Sequence, residues 1–407
     1  MTKFFPNTEE RSPDDIIQKA LSNVREHLGM EVAYLSEIRD DLSIFRAVDA
    51  PGLDHLIKTG DRRHLDDLYC RHIVEGRLPK LIPNTADVPM AVEMPITAQV
   101  PIGSHVSVPI HRHDGSVYGM FCCLSPTPNR SLNMRDLTIM EMFADLCADQ
   151  INGAVSEKVR RETIIAAIGD ILERRDFDVV YQPIYHLDNS RPSGFEALCR
   201  FRAEPYRAPN IWFSEAETVN LGVDLELAVI DAALCALDSL PDDIYLSVNA
   251  SPETAAAGRL NEVFAGRPLE RIVLEVTEHN AITDIDALRA ELTDWRAKGL
   301  TVAIDDAGAG YSGLQQIILL APDILKLDMS LTSNIDTDAA KRSLAAAMVH
   351  FAAEQGSAIV AEGIETEAEL NTLRSIGVHR GQGWHLGKPA ALDVVLKRFV
   401  GTDAKLA

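Results

Sequence analysis

Seven residues in the second half of this 407-residue chain have the types that hold and use a metal ion: Glu196, Asn249, Glu275, Asp305, Lys326, Glu362 and Gln382. Each stands in or near the end of a short apolar run, where an ionisable or amide group is costly to bury. The clearest case is Thr301-Val302-Ala303-Ile304-Asp305-Asp306, which stops at two adjacent carboxylates and continues into Ala307-Gly308-Ala309-Gly310-Tyr311-Ser312. Neighbouring carboxylates repel, and a hard divalent cation is the usual means of neutralising them. Read singly, each residue is as well explained as a helix cap or a satisfied polar core group. Read together they describe a ring of oxygen donors with one amine, which is what divalent metal ions plus a charged helper require.

The elements that must position this ring are legible as runs. Val179–Ile184, Gly194–Leu198, Ile244–Asn249, Ile272–Val276, Thr301–Asp306, Ile324–Asp328, Ala358–Glu362 and a weaker run, Val378–Trp384, read as strands. Runs without polar alternation are those of strands covered on both faces. Helical patterns at 214–239, 284–298, 336–355 and 366–376 separate most of them. Eight strands with intervening helices predict an α/β chain containing a (β/α)8 TIM-like barrel, whose strand ends converge on one catalytic mouth. Tyr185–Ser193 is too short for a parallel crossover, so the first strand is expected to run antiparallel to the second.

Several of these segments also carry a family pattern. Glu196-Ala197-Leu198 with Arg200, Val248-Asn249-Ala250-Ser251, Glu275-Val276-Thr277-Glu278, Asp305-Asp306 with the loop to Ser312, Leu325-Lys326-Leu327-Asp328, Glu362-Gly363-Ile364-Glu365-Thr366 and Gln382-Gly383-Trp384 resemble the EAL-domain cyclic-di-GMP phosphodiesterases. The resemblance implies metal-dependent hydrolysis of cyclic di-GMP to linear pGpG with two Mg2+ or Mn2+ ions. It implies that Glu196, Asn249, Glu275 and Asp305 hold one metal, and that Asp305, Asp306 and Glu362 hold the second. Lys326 and Gln382 then act on the attacking water, and Gln182, Arg200, Asn249 and Asp328 are counted as substrate contacts. Glu365 is matched to the glutamate that fixes the loop after Asp306, while Asp328 and Glu278 look like supports behind the ligands. The family loop usually has Phe, Thr and Ser where this chain has Ala307, Ala309 and Gly313, and no ligand is lost by the change. A catalytically inactive cyclic-di-GMP receptor signalling by protein contact is the alternative that the same resemblance allows.

The first half reads differently. Ser12-Pro13-Asp14-Asp15 has the cap, proline and acidic turn of a helix start, with Gly29 beyond its end. Glu31–Ser36 and Ser43–Val48 alternate around Asp40-Asp41, and His105–Ile110 and Ser116–Cys122 flank His113-Asp114-Gly115, a strong hairpin signal. The expectation is an α+β domain with an antiparallel sheet and helices. Tyr69-Cys70-Arg71-His72-Ile73-Val74, Leu81-Ile82-Pro83-Asn84-Thr85, Val106–Ile110 and the Gly115 hairpin resemble a GAF domain, a regulatory fold of varied ligands. The ligand here is unknown. Cys70 and His72 invite a chromophore reading, but Arg71 separates them, so core or surface roles are expected. His111 and His113 lack a third ligand.

Between the halves, Met140, Phe143, Leu146, Cys147, Ile151, Val155, Val159, Ile164, Ile168, Ile171 and Leu172 recur at helical spacing on one long helix from Asn133 to about Glu173. The stripe either packs back on its own domains or pairs with its copy, and a homodimer is the expectation. The resulting division is a sensor domain over 1–150, a helical connector over 151–173 and a barrel over 174–407.

Composition bounds the rest. A net charge of −22, with 46% hydrophobic and 25% charged residues, is that of a folded protein that does not bind nucleic-acid polymers or anionic membranes through basic patches. The six cysteines show no CxxC pair, and no signal-peptide pattern or run of about 18 apolar residues is present. The expected location is cytoplasmic.

Overall fold

A computed structural model describes residues 12–53, 55–277, 285–307 and 317–403, with side chains for all of these but 13, 306, 307 and 398–403. The chain divides into two compact units between Arg160 and Arg161.

In the first unit, strands β1 (Val32–Arg39), β2 (Leu42–Asp49), β3 (Arg62–His64), β4 (Leu81–Ile82), β5 (Ser104–His111) and β6 (Val117–Ser125) form one antiparallel sheet in the order β3-β2-β1-β6-β5-β4. The helix Pro13–Leu28 begins with a capping box between Ser12 and Asp15 and ends at Gly29, whose φ of 61° is the left-handed geometry glycine adopts freely. Strand alternation sorts the sheet into two faces. Val106, Val108, Ile110 and Phe121 pack with Leu21 and Val24 of that helix, while Val32, Tyr34, Met120 and Cys122 pack with Leu68, Tyr69 and Ile96. Strand β3, Arg62-Arg63-His64, has no apolar residue and lies at the sheet edge, so hydrophobic patterning gives no sign of it.

The long helix runs from Met134 to Arg174. Its stripe is largely consumed within the chain. Met140, Ala144, Cys147 and Ile151 join the core of the first unit, and Ile164, Ile168 and Ile171 pack with Phe177, Phe201 and Trp212 in the second. Leu146, Val155 and Val159 remain exposed.

The second unit is a closed eight-stranded barrel. Strands β7 (Phe177–His186), β8 (Pro192–Phe201), β9 (Tyr245–Ala250), β10 (Ile272–Val276), β11 (Thr301–Ala307), β12 (Ile324–Leu327), β13 (Ala358–Ala361) and β14 (Arg380–Gly381) follow one another around it. β7 is antiparallel to both neighbours and the other pairs are parallel, as the short Tyr185–Ser193 connection requires. Where one helix is expected over 214–239 there are two, Pro209–Thr218 and Gly222–Leu234. Asn220 between them has a φ of 63°, a conformation Asn tolerates and a helix does not.

Period-two alternation along the strands sets the barrel interior. Ile184, Val273, Ala303, Ile324 and Val360 make one apolar plug inside it, while Leu246, Val248, Leu274, Val302, Ile304 and Leu325 face the outer layer formed by Leu288, Leu292 and Trp295 among others. No helix among the described residues is long and apolar enough to cross a membrane.

Candidate functional site

The site grows directly from that apolar plug. Two residues beyond Val273, Ala303, Ile324 and Val360, and therefore on the same inner face, come Glu275, Asp305, Lys326 and Glu362. On the antiparallel β7, Gln182 lies two residues before Ile184, pairing in register with Glu196 of β8. Asn249 pairs with Glu275. The strand period thus places polar groups in one layer above a layer that excludes water.

Lys326 is the hub. Its Nζ lies 2.6 Å from Glu275 Oε2, 2.7 Å from Glu362 Oε1, 3.2 Å from Asp305 Oδ1 and 3.6 Å from Glu196 Oε2, and the side chain is 1% exposed. Gln382, one residue past β14, donates from Nε2 to Glu196 Oε2 at 2.5 Å and to Glu362 Oε1 at 2.9 Å. Asn249 Nδ2 donates to Glu196 Oε1 at 3.1 Å. Gly383 fixes the position of Gln382. A Cβ there would lie 2.1 Å from Ile364 O, so only glycine lets the two segments meet.

The electrostatics follow from burying four carboxylates around one ammonium. Burial pushes the Glu275 carboxyl well above its ordinary range, with Lys326 opposing and Glu196 and Asp305 reinforcing the shift. Burial likewise takes Glu362 up to about 8, against the pull of Lys326. For Lys326, burial favours the neutral amine, but Glu196, Glu275, Glu362 and Asp305 outweigh it and hold the ammonium. Four acids against one cation leave the layer short of positive charge. Gln382 Oε1, on the amide whose Nε2 bonds Glu196 and Glu362, is buried with no hydrogen-bond partner among the described residues, an acceptor left open beside the carboxylates. Among the described residues, no set of three or more His, Cys, Asp or Glu side chains converges on one point as metal ligands do; the Lys326 ammonium stands between the carboxylates instead.

The remaining expected residues lie around this layer. Gln182 Nε2 donates to Gly387 O at 3.1 Å. Arg200 donates to Cys199 O at 2.7 Å and lines a cleft with Asn210, Glu226 and Asn249. Asp328 caps the helix Met329–Thr332, accepting from Ser330 N at 2.8 Å. Glu365 is exposed, and its N–H donates to Glu369 Oε2 at 2.9 Å. The Asp306 side chain, Glu278 and the loop from Gly308 to Gly313 lie outside the described residues. In the first unit His111 and His113 are exposed, and Cys70 is buried.

Two residues of the site have no counterpart in the sequence reading. Ser247, two before Asn249 on the same face, donates to Glu275 Oε1. The strand period could have revealed it. Glu369, 4% exposed, accepts from Asn334 N, Glu365 N and Thr366 N and so ties down the segment that follows Glu362. Its Thr366-x-x-Glu369 spacing is a capping-box signature.

Residues 165–389 match the model of the EAL domain, and residues 10–152 match that of a GAF domain. The probable cyclic di-GMP phosphodiesterase PdeD of Escherichia coli is 28% identical over 241 residues, which is 57% of this chain and 45% of PdeD. The bifunctional diguanylate cyclase/cyclic di-GMP phosphodiesterase MucR of Pseudomonas aeruginosa is 32% identical over 237 residues, 55% of this chain and 35% of MucR. The chain therefore spans less than half the length of these relatives. The solved structure of the MucR phosphodiesterase in complex with c-di-GMP is 29% identical, with a TM-score of 0.52 over 57% of this chain and 99% of that one.

Proposed function

The chain belongs to the EAL-domain family, and from that premise we propose that it is a metal-dependent phosphodiesterase that hydrolyses cyclic di-GMP to linear pGpG. The observation that carries this reading is the convergence of Glu196, Glu275, Asp305 and Glu362 on Lys326 in one layer on the inner face of the barrel. The donor set fits hard divalent ions, since it is all oxygen and deficient in positive charge, and beside it the buried Gln382 Oε1 has no hydrogen-bond partner among the described residues. Glu196, Asn249, Glu275 and Asp305 would hold one Mg2+ or Mn2+, and Asp305, Asp306 and Glu362 the second. Such ions, when bound, supply an activated water and stabilise the attacking and leaving oxygens of an in-line displacement.

The chain's own residues do the rest. Glu275 is oriented by Ser247 and Lys326, so its free lone pairs are aimed rather than averaged over rotamers. Gln382 spans Glu196 and Glu362 and keeps the two carboxylates at a fixed separation. Lys326 can donate to the oxygen that attacks phosphorus and offset charge that builds on the phosphoryl group. Arg200, with forked donors, suits the non-bridging phosphate oxygens. Hydrolysis breaks one bond from phosphorus to a ribose 3′ oxygen, which takes up a proton, and leaves the new 5′ phosphate of pGpG.

Regulation by the GAF-type unit and a homodimer belong to the same proposal. They are supported by one helix, Met134–Arg174, that is part of both cores, and by the exposed Leu146, Val155 and Val159 on it. The experiment is incubation with cyclic di-GMP and Mg2+ or Mn2+, followed by chromatography. Appearance of pGpG is the expected result, and tight binding of cyclic di-GMP without turnover would make the protein a receptor instead.

A further inference from the structure

The end of the barrel remote from the carboxylates carries a cation that the fold leaves unused. Arg380 opens β14, two residues before Gln382 and therefore on the same inner face but toward the amino ends of the strands. Other arginines near those amino ends are consumed within the chain. Arg271 donates to Ile244 O, Leu240 O and Pro241 O, Arg296 to Leu320 O, Ala321 O and Asp323, and Arg374 to Leu187 O. Among the described residues the half-buried Arg380 guanidinium has no hydrogen bond and no ion pair, and what it meets is the Tyr245 ring, 5.9 Å from its Cζ. A donor partly withdrawn from water without an acceptor costs stability.

A second donor stands beside it. β14 is antiparallel to β7, and Arg380 lies directly opposite His186. Residues so paired leave the sheet on one face with Cβ atoms about 4.5–5.5 Å apart, which puts both side chains within reach of one small group. The two also sense each other electrically. Burial and then the Arg380 charge push the His186 pKa down, against an upward pull from the exposed Asp188. The ring is therefore neutral at pH 7 and offers one N–H next to the guanidinium.

Both residues line a recess of about 260 Å³ together with His379, Val349, Ala353 and Ile359. Among the described residues no Asp or Glu lines it, although the chain carries a net charge of −22. The space exceeds the roughly 150 Å³ apolar cavity known to take benzene, so it has room for an anionic group and a ring-sized body.

We propose that this recess binds a phosphate monoester with a small apolar body. The Arg380 fork donates to two of the three free phosphate oxygens and the His186 N–H to the third, while the body packs on Val349, Ala353 and Ile359. A carboxylate has only two oxygens and leaves one of these donors unused. The site is separate from the carboxylate layer and does not depend on what that layer catalyses.

The test is isothermal titration of the full chain, in chelator, with phenyl phosphate, inorganic phosphate, benzoate and phenol. Neither metal nor cyclic di-GMP is present, so the outcome is independent of whether the barrel hydrolyses anything. The expected result is saturable binding of phenyl phosphate, one per chain, at least about ten-fold tighter than phenol, the scale of one hydrogen bond to a charged group, and tighter than inorganic phosphate or benzoate. Arg380→Gln should weaken phenyl phosphate about ten-fold or more, His186→Leu by a smaller factor, and Arg200→Gln, at the other end of the barrel, not at all. Circular dichroism checks the Arg380 and His186 variants, and should one fail to fold the other decides. No saturable binding, affinity for benzoate or phenol equal to that for phenyl phosphate, or a loss caused by Arg200→Gln instead of Arg380→Gln overturns the proposal.

Discussion

Lys326 Nζ stands 2.6 Å from Glu275 Oε2 inside the barrel, with the two side chains 1% and 2% exposed. This pair is the innermost of four acidic contacts made by a single ammonium. Lys326 therefore has two separable duties, holding the acids together before a metal arrives and acting on the reacting oxygens afterwards.

The first duty predicts that Lys326→Met lowers the unfolding free energy of metal-free protein by about 3–5 kcal/mol, the usual cost of removing one partner from a buried ion pair. Added Mg2+ should restore part of the loss. Urea unfolding in chelator and in Mg2+ measures both, and equal stability of wild type and variant in chelator would show that the ammonium does not hold the acids.

The second duty predicts that Lys326→Ala depresses kcat more than it raises KM, because the charge it meets develops in the transition state. Steady-state kinetics separate the two. A higher KM at unchanged kcat would make Lys326 a ground-state contact.

Glu196→Ala should abolish hydrolysis while leaving the barrel folded, since Glu196 accepts from Asn249 and Gln382 but contributes little apolar packing. Replacing Mg2+ by Ca2+ in the wild type should also inhibit, because longer and looser calcium coordination misplaces the attacking water. Turnover with Ca2+ equal to that with Mg2+, or an active Glu196→Ala protein, would remove Glu196 and its metal from the mechanism.

How much of this was legible in the sequence depends on what each feature rests on. The barrel and its inner layer follow from strand period and run length, so Glu275, Asp305, Lys326 and Glu362 could be placed on one mouth from the sequence alone. The antiparallel β7 followed from the length of one loop. Features without a local signature stayed hidden. The edge strand Arg62–His64 has no apolar residue, and the split helix at Asn220 turns on one backbone angle. By periodicity the long stripe from Met140 to Ile171 suits either a second copy or the chain's own domains. Tertiary packing uses most of it, and periodicity cannot report which partner a face will have.

Gly383→Ala should damage turnover more than a surface glycine change, because its Cβ would meet the backbone of Ile364 at 2.1–2.6 Å. Backbone atoms cannot swing aside, so the segment must shift and carry Gln382 with it. A displacement of about 1 Å at a catalytic group can cost about 100-fold in rate. The measurement is kcat alongside melting temperature, and a variant with wild-type kcat would show that Gln382 does not depend on this close approach.

Glu369 gives a prediction in pH. Burial pushes its carboxyl up, but N–H groups of Asn334, Glu365 and Thr366, aimed at its two oxygens at 2.8–3.0 Å, outweigh burial and lower its pKa. A group whose folded pKa is depressed contributes stability above its unfolded pKa, about 4.3 for Glu, and loses it as pH falls through the folded value. Glu369→Gln keeps the shape and one acceptor oxygen but not the charge. The stability difference between wild type and Glu369→Gln should therefore be full at pH 6–7, shrink once pH drops below about 4.3 and keep shrinking through the lower, folded pKa. Urea midpoints at pH 7 and at progressively lower pH measure it. Because the same oxygens pin the segment following Glu362, kcat should fall in the variant at pH 7 as well. A stability difference that stays constant with pH would mean that Glu369 is kept for its shape, and that the segment bearing Glu362 and Glu365 is positioned without its charge.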